Sequence, residues 1–119
     1  MTWQPSKQQL EDAARAAGHA SHYWPKQREG SPFFMMVRDG SEQKTWNPHL
    51  PTVYGKADLL DLMLALPVGI YWLEDVTMAV VEHRSPNGVV YTKRTNIQKL
   101  AQAVIEVAAL VGAKMRGEV

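Results

Sequence analysis

Cysteine is absent from the 119 residues, which excludes disulfides, thiol nucleophiles and thiolate metal centres. No apolar run approaches the ~20 residues of a membrane-spanning helix. The opening Met1-Thr2-Trp3-Gln4-Pro5-Ser6 has no basic segment followed by an apolar one, so neither insertion in a membrane nor a secretory leader is expected. An excess of one charge is lacking as well. Thirteen Lys and Arg against twelve Asp and Glu leave a net charge of +1, too little for a general attraction to nucleic acid or lipid. Glycine-rich phosphate loops and nucleophile elbows are also missing. A cytoplasmic protein with no cofactor and no metal is the expectation.

What is present is ordinary for a globular chain: 45% apolar residues and 21% charged. The length suits one domain spanning residues 1–119, with a core that forms without covalent staples. Ser6 and Gln9 form a capping box, and Leu10, Ala13, Ala14 and Ala17 follow at helical spacing up to Gly18. That stripe is mostly alanine and predicts a close approach to a neighbour, where Ala13→Leu would overpack. Residues 19–31 read as a connection. Residues 32–38 read as a strand apolar on both faces, bounded by Asp39-Gly40. A helix over about 56–66, stopped by Pro67, carries six leucines and methionines and is expected to be buried around most of its circumference, with Asp58 and Asp61 on its solvent side.

Short strands follow at 70–73 and 77–84. Ser85-Pro86-Asn87-Gly88 predicts a type I turn closed by a left-handed glycine bulge. That loop pairs Ser85 with Val89, His83 with Tyr91 and Val81 with Lys93. Ala79, Val81, Val89 and Tyr91 then share one face, and Glu82, Arg84, Thr92 and Arg94 share the other. A second capping box, Thr95 to Gln98, opens a final helix with Ile97, Leu100, Ala101, Val104, Ala108 and Val111 in its stripe. The class is therefore α+β: a small, mainly antiparallel sheet with helices packed on it, in the order α-β-α-β-β-β-α.

Trp46-Asn47-Pro48 lies between the first strand and the second helix. Pro48 holds Asn47 extended, Asn47 closes a turn through its side chain, and Trp46 supplies a large apolar anchor. None of the three moves a proton well or holds a metal, so the motif reads as architecture. The motif sits within a strand, a short loop, a helix, a meander and a closing alanine- and valine-rich helix, over about residues 10–115. In this order the chain resembles the phage ABA sandwich domain family, small phage and prophage proteins of unknown function. The resemblance implies an α/β/α sandwich and a phage or prophage accessory protein acting on a host or phage protein. Relatives often carry small and acidic residues after the motif, where this chain has His49 to Tyr54.

Three sets of residues are candidates for chemistry. His19 and His22 have a metal-ligand spacing, but no third ligand is near in sequence. His49 becomes a general base if Asp58 or Asp61 orients it, which would make a small hydrolase. Arg84, Lys93, Arg94 and Lys99 form a basic group with no acidic residue among them, a candidate nucleic-acid or acidic-protein contact. The leading reading is non-enzymatic, by protein–protein contact. Nucleic-acid binding through the basic group is second and the His49 hydrolase third.

Overall fold

Ser6 opens the first helix, α1 (Lys7–Ala16), by the reciprocal cap: its hydroxyl accepts from the Gln9 amide at 3.0 Å, and the Gln9 side chain accepts from the Ser6 amide at 2.9 Å. The computed structural model describes residues 3–19, 21–26, 34–73 and 77–117. After α1 come β1 (Ser21–Tyr23), β2 (Met36–Asp39), β3 (Glu42–Thr45), α2 (Val53–Ala65), β4 (Gly69–Trp72), β5 (Met78–Arg84), β6 (Val90–Asn96), a 3-10 turn (Ile97–Lys99) and α3 (Leu100–Met115). The α+β class stands, with helices packed on antiparallel strands. The strands form two sheets rather than one, β1-β2-β3 and β4-β5-β6, each in chain order.

α3 is the central element. It packs on β5 and β6 and also against α1, so residues around most of its circumference are buried, from Ala103 to Gly112. The alanines of α1 explain how close the two helices come. Leu10, Ala13 and Ala14 are essentially inaccessible, and they join α3 in a single core with Met35, Val37, Trp46, Leu62, Leu66 and Val81. At the tightest point a β-carbon on Gly112 would lie 1.7 Å from the backbone oxygen of Asp12. Gly112 is thus required inside α3, and the helix runs on to Met115, with Gly117 beyond. Gly→Ala within a helix ordinarily stabilises by up to ~1 kcal/mol. Here the sign reverses. Gly112→Ala is expected to lower stability by about 1–3 kcal/mol through forced separation of the helices, measurable by denaturant unfolding.

The hairpin of β5 and β6 has the register the turn dictates. Ser85 N–H donates to the Val89 carbonyl at 2.9 Å, and His83 faces Tyr91 and Val81 faces Lys93. Gly88 adopts φ +90°, the left-handed conformation that the bulge needs. Ala79, Val81 and His83 are buried on the side that α3 covers, while Arg84, Thr92 and Arg94 are exposed. The second cap differs from the expected box. Asn96, not Thr95, accepts from the Gln98 amide, at 2.9 Å, and it begins the 3-10 turn rather than α3 itself. The Thr95 hydroxyl turns inward and donates to the carbonyls of Asn96 and Lys99.

The first sheet departs further from expectation. The strand placed at 32–38 begins at Met36, and Pro32 and Phe33 lie outside the described residues. It is covered on one side only. Val37 is fully buried, but Arg38 on the other face lies over the Tyr23 ring at 5.4 Å, and the Tyr23 hydroxyl donates to Gln43 at 2.8 Å. Both flanking strands fall in stretches without apolar alternation, and β3 is exposed throughout.

Candidate functional site

A strap of residues 46–52 joins the first sheet to α2. Its first residue, Trp46, is fully buried, as the motif requires of an anchor. The Trp46 amide donates to the Met35 carbonyl at 2.9 Å, and the Met35 amide donates to Asn47 Oδ1 at 2.7 Å. Asn47 therefore uses its side chain across the chain, to β2's entry, and not to close its own turn. The turn is closed instead by the Leu50 amide donating to the Asn47 carbonyl at 3.1 Å. His19 lies edge-on to the Trp46 ring, with centroids 5.3 Å apart, and is held by Asp39 at 2.8 Å. His22 faces a different carboxylate, Glu11, at 3.4 Å, so the two rings of the His-x-x-His spacing are engaged by separate acidic partners.

The other end of the strap is fixed by α2. Thr52 caps the helix by accepting from the Gly55 amide at 3.0 Å, and Asp58 Oδ2 accepts from the Asn47 amide at 2.8 Å. This corrects the reading of Asp58 as a solvent-side residue. It is 8% exposed and shares the inward face with Gly55 and Leu62, whereas Asp61 is outside and meets Lys44 at 3.8 Å. Burial raises the Asp58 pKa above its ordinary 3.8, while the Asn47 amide and the charges of Lys44 and His19 act against it. A raised carboxyl pKa means that the group favours the fold most below pH 3.8, and that this contribution is lost as pH rises through the folded-state value. Asp58→Asn keeps an acceptor for Asn47 without the charge. Thermal unfolding across acid to neutral pH should show it equal to or more stable than the parent at neutral pH, with that component of the pH dependence gone. Asp58→Ala orphans the Asn47 amide and should cost about 1–2 kcal/mol.

Between strap and helix lies a depression of about 330 Å³, lined by Phe34, Thr45, Asn47, Leu50, Thr52, Tyr54, Gly55 and Asp58. Its wall is tight, because a β-carbon on Gly55 would fall 2.1 Å from the Leu50 backbone oxygen.

The outer face of α2 overturns the expectation of a helix buried most of the way round. Its inner side, with Leu62 and Leu66, joins the core, and Leu59 and Met63 pack at the edge of it. On the opposite side Val53 is 81% exposed, Leu60 55% and Leu64 71%, with Ala57 exposed between them. Tyr54, 80% exposed, flanks the row. Positions 53, 57, 60 and 64 are spaced by four, three and four residues, so they form one continuous apolar stripe.

The basic residues do not converge. Arg84 pairs with Glu82 at 2.5 Å and Lys93 with Glu106 of α3 at 2.9 Å. The register places Lys93 beside Val81 on the helix-covered side of the sheet and Arg84 and Arg94 on the other. Lys99 is separate again, in the 3-10 turn, on a depression shared with Trp3, Gln4, His49 and Gln98. His49 therefore lines a different depression from Asp58, and Asp58 and Asp61 are engaged by Asn47 and Lys44. Among the described residues no group of three or more His, Asp or Glu is placed to hold a metal, and no helix is long and apolar enough to cross a membrane.

Comparison with protein-family models, with curated proteins and with solved structures finds no match to the chain.

Proposed function

We propose that the protein is a non-enzymatic accessory protein that acts by protein–protein contact, through the outer face of α2. The observation that carries this reading is the uncovered stripe Val53, Ala57, Leu60 and Leu64. Isolated exposed apolar residues are normal on a protein surface, but a contiguous row on a helix whose other side is already in the core marks a contact site. Three turns with anchors at positions i, i+4, i+7 and i+11 match the way a helix seats in an apolar groove of another protein. The resemblance of the Trp46-Asn47-Pro48 framework supplies the expected setting: a phage or prophage protein in the bacterial cytoplasm, with a host or phage protein as partner.

Leu60→Glu with Leu64→Glu tests the reading. Both side chains are exposed, so the double variant should keep the circular dichroism and unfolding midpoint of the parent. Affinity capture from bacterial lysate should recover a specific protein with the parent chain and lose it with the variant. Recovery of the same protein by both, or of none by the parent at several concentrations, would sink the proposal.

A further inference from the structure

Asp58 has more chemistry than its structural task requires. One backbone amide, that of Asn47, needs an acceptor, and Oδ2 alone satisfies it. A neutral amide side chain would do so without holding a carboxylate at 8% exposure. The other oxygen, Oδ1, accepts no hydrogen bond from the described residues, while the residue itself lines the depression beneath the strap. The charges that face the carboxyl are Lys44 and His19, which favour the anion, and Asp61, which opposes it. Burial outweighs the favourable ones, so the anion is poorly solvated. A hydrogen-bond donor entering here is held more strongly than it would be in water.

The surroundings suit a small guest. Phe34, Leu50 and Tyr54 give the depression an apolar lining, and Thr45 and Thr52 add hydroxyls. Its volume of about 330 Å³ lies at the lower end of the range for small-molecule sites. The contact of Gly55 with Leu50 and the bonds of Asn47 fix the wall before anything binds, so little order has to be gained on binding.

We propose that this depression binds a small organic amine, with its apolar body against Phe34, Leu50 and Tyr54 and its ammonium on the Asp58 carboxylate. The site is independent of the α2 stripe, since none of Val53, Ala57, Leu60 and Leu64 lines it.

Benzylammonium is a suitable probe, with benzyl alcohol as its uncharged match, followed by amide NMR of the nitrogen-labelled chain. Benzylammonium should shift the amides of Asn47, Gly55 and Asp58 with a Kd on the order of 1 mM, reasonable for so few atoms. Benzyl alcohol should bind about tenfold or more weakly, the worth of a charge-assisted hydrogen bond, and Asp58→Asn should lose the same factor for the amine. Affinity for the amine should fall as the pH is lowered through the Asp58 pKa, because the protonated carboxyl has no charge to offer. No shift at these amides up to about 10 mM amine would overturn the proposal. So would equal binding of amine and alcohol, or undiminished binding by Asp58→Asn. If Asp58→Asn fails to fold, the amine–alcohol comparison and the pH series on the parent chain decide the matter alone.

Discussion

Trp46→Ala is expected to remove about 3–5 kcal/mol of stability, the usual cost of truncating a large buried aromatic to a methyl group. The indole is fully buried, and it contacts the core where the first sheet, α2 and the His19 ring meet. The loss combines transfer of the ring's apolar surface to water with the cavity left under a strap that cannot collapse. Asn47 is held at both ends, by Met35 and Asp58, and Gly55 already touches the strap. Against a total of roughly 5–15 kcal/mol for a domain, the substitution should leave a large unfolded fraction at physiological temperature. Trp46→Phe is the informative partner. The buried indole N–H has no acceptor among the described residues, so phenylalanine discards a donor that costs free energy to bury. Its penalty should be distinctly smaller than that of alanine in chemical unfolding. Equal penalties would show that the apolar bulk phenylalanine retains does not anchor the strap.

Asp12→Ala should be the next largest, at about 2–3 kcal/mol. The Asp12 carboxylate is 3% exposed and accepts from Arg15 at 2.6 Å, from Arg116 at 2.9 and 3.1 Å and from Gln8 at 3.2 Å. It ties the first turns of the chain to the end of α3, across a sequence separation of 104 residues. Removing one member of a buried pair costs about 3–5 kcal/mol because the partner charge is stranded. The guanidinium groups here remain partly accessible, with side-chain exposures of 32% and 28%, and rehydration lowers the cost. Arg116→Gln should cost less than Asp12→Ala, because Arg15 still answers the carboxylate. The double variant should be less unstable than the sum, since both remove the same contact. Strict additivity in unfolding free energies would mean that Asp12 and Arg116 do not interact in solution.

Much of the framework was legible in local sequence, where one short segment decides the outcome. Ser6 with Gln9 fixed the start of α1, and Ser85 to Gly88 fixed the register of β5 and β6, because capping and turn geometry depend only on neighbours a few residues away. Trp46 was readable as an anchor for the same reason: Pro48 stiffens the chain on which it sits. The two strands that sequence did not reveal, β1 and β3, are short, polar and exposed, and hydrogen bonding to β2 alone defines them. Asp58 was misplaced because it and Asp61 lie one turn apart, and the boundary between the inner and outer faces of α2 passes between them. Alternation could not locate that boundary in a helix apolar on both sides. Only the packing shows that Leu62 faces the core while Leu60 and Leu64 do not. The depression beneath the strap left no local signal, since Phe34, Leu50 and Asp58 meet there only after folding.

The embrace of α1 by α3 also orders events during synthesis. A nascent chain leaves the ribosome amino end first, at about 5–20 residues per second. The surface awaiting Leu10, Ala13 and Ala14 is supplied by α3, and Arg116 emerges 104 residues after its partner Asp12. Both three-stranded sheets can therefore assemble while α1 still waits, its alanine stripe open to water. Synthesis of α3, rather than of any earlier element, is when this core closes.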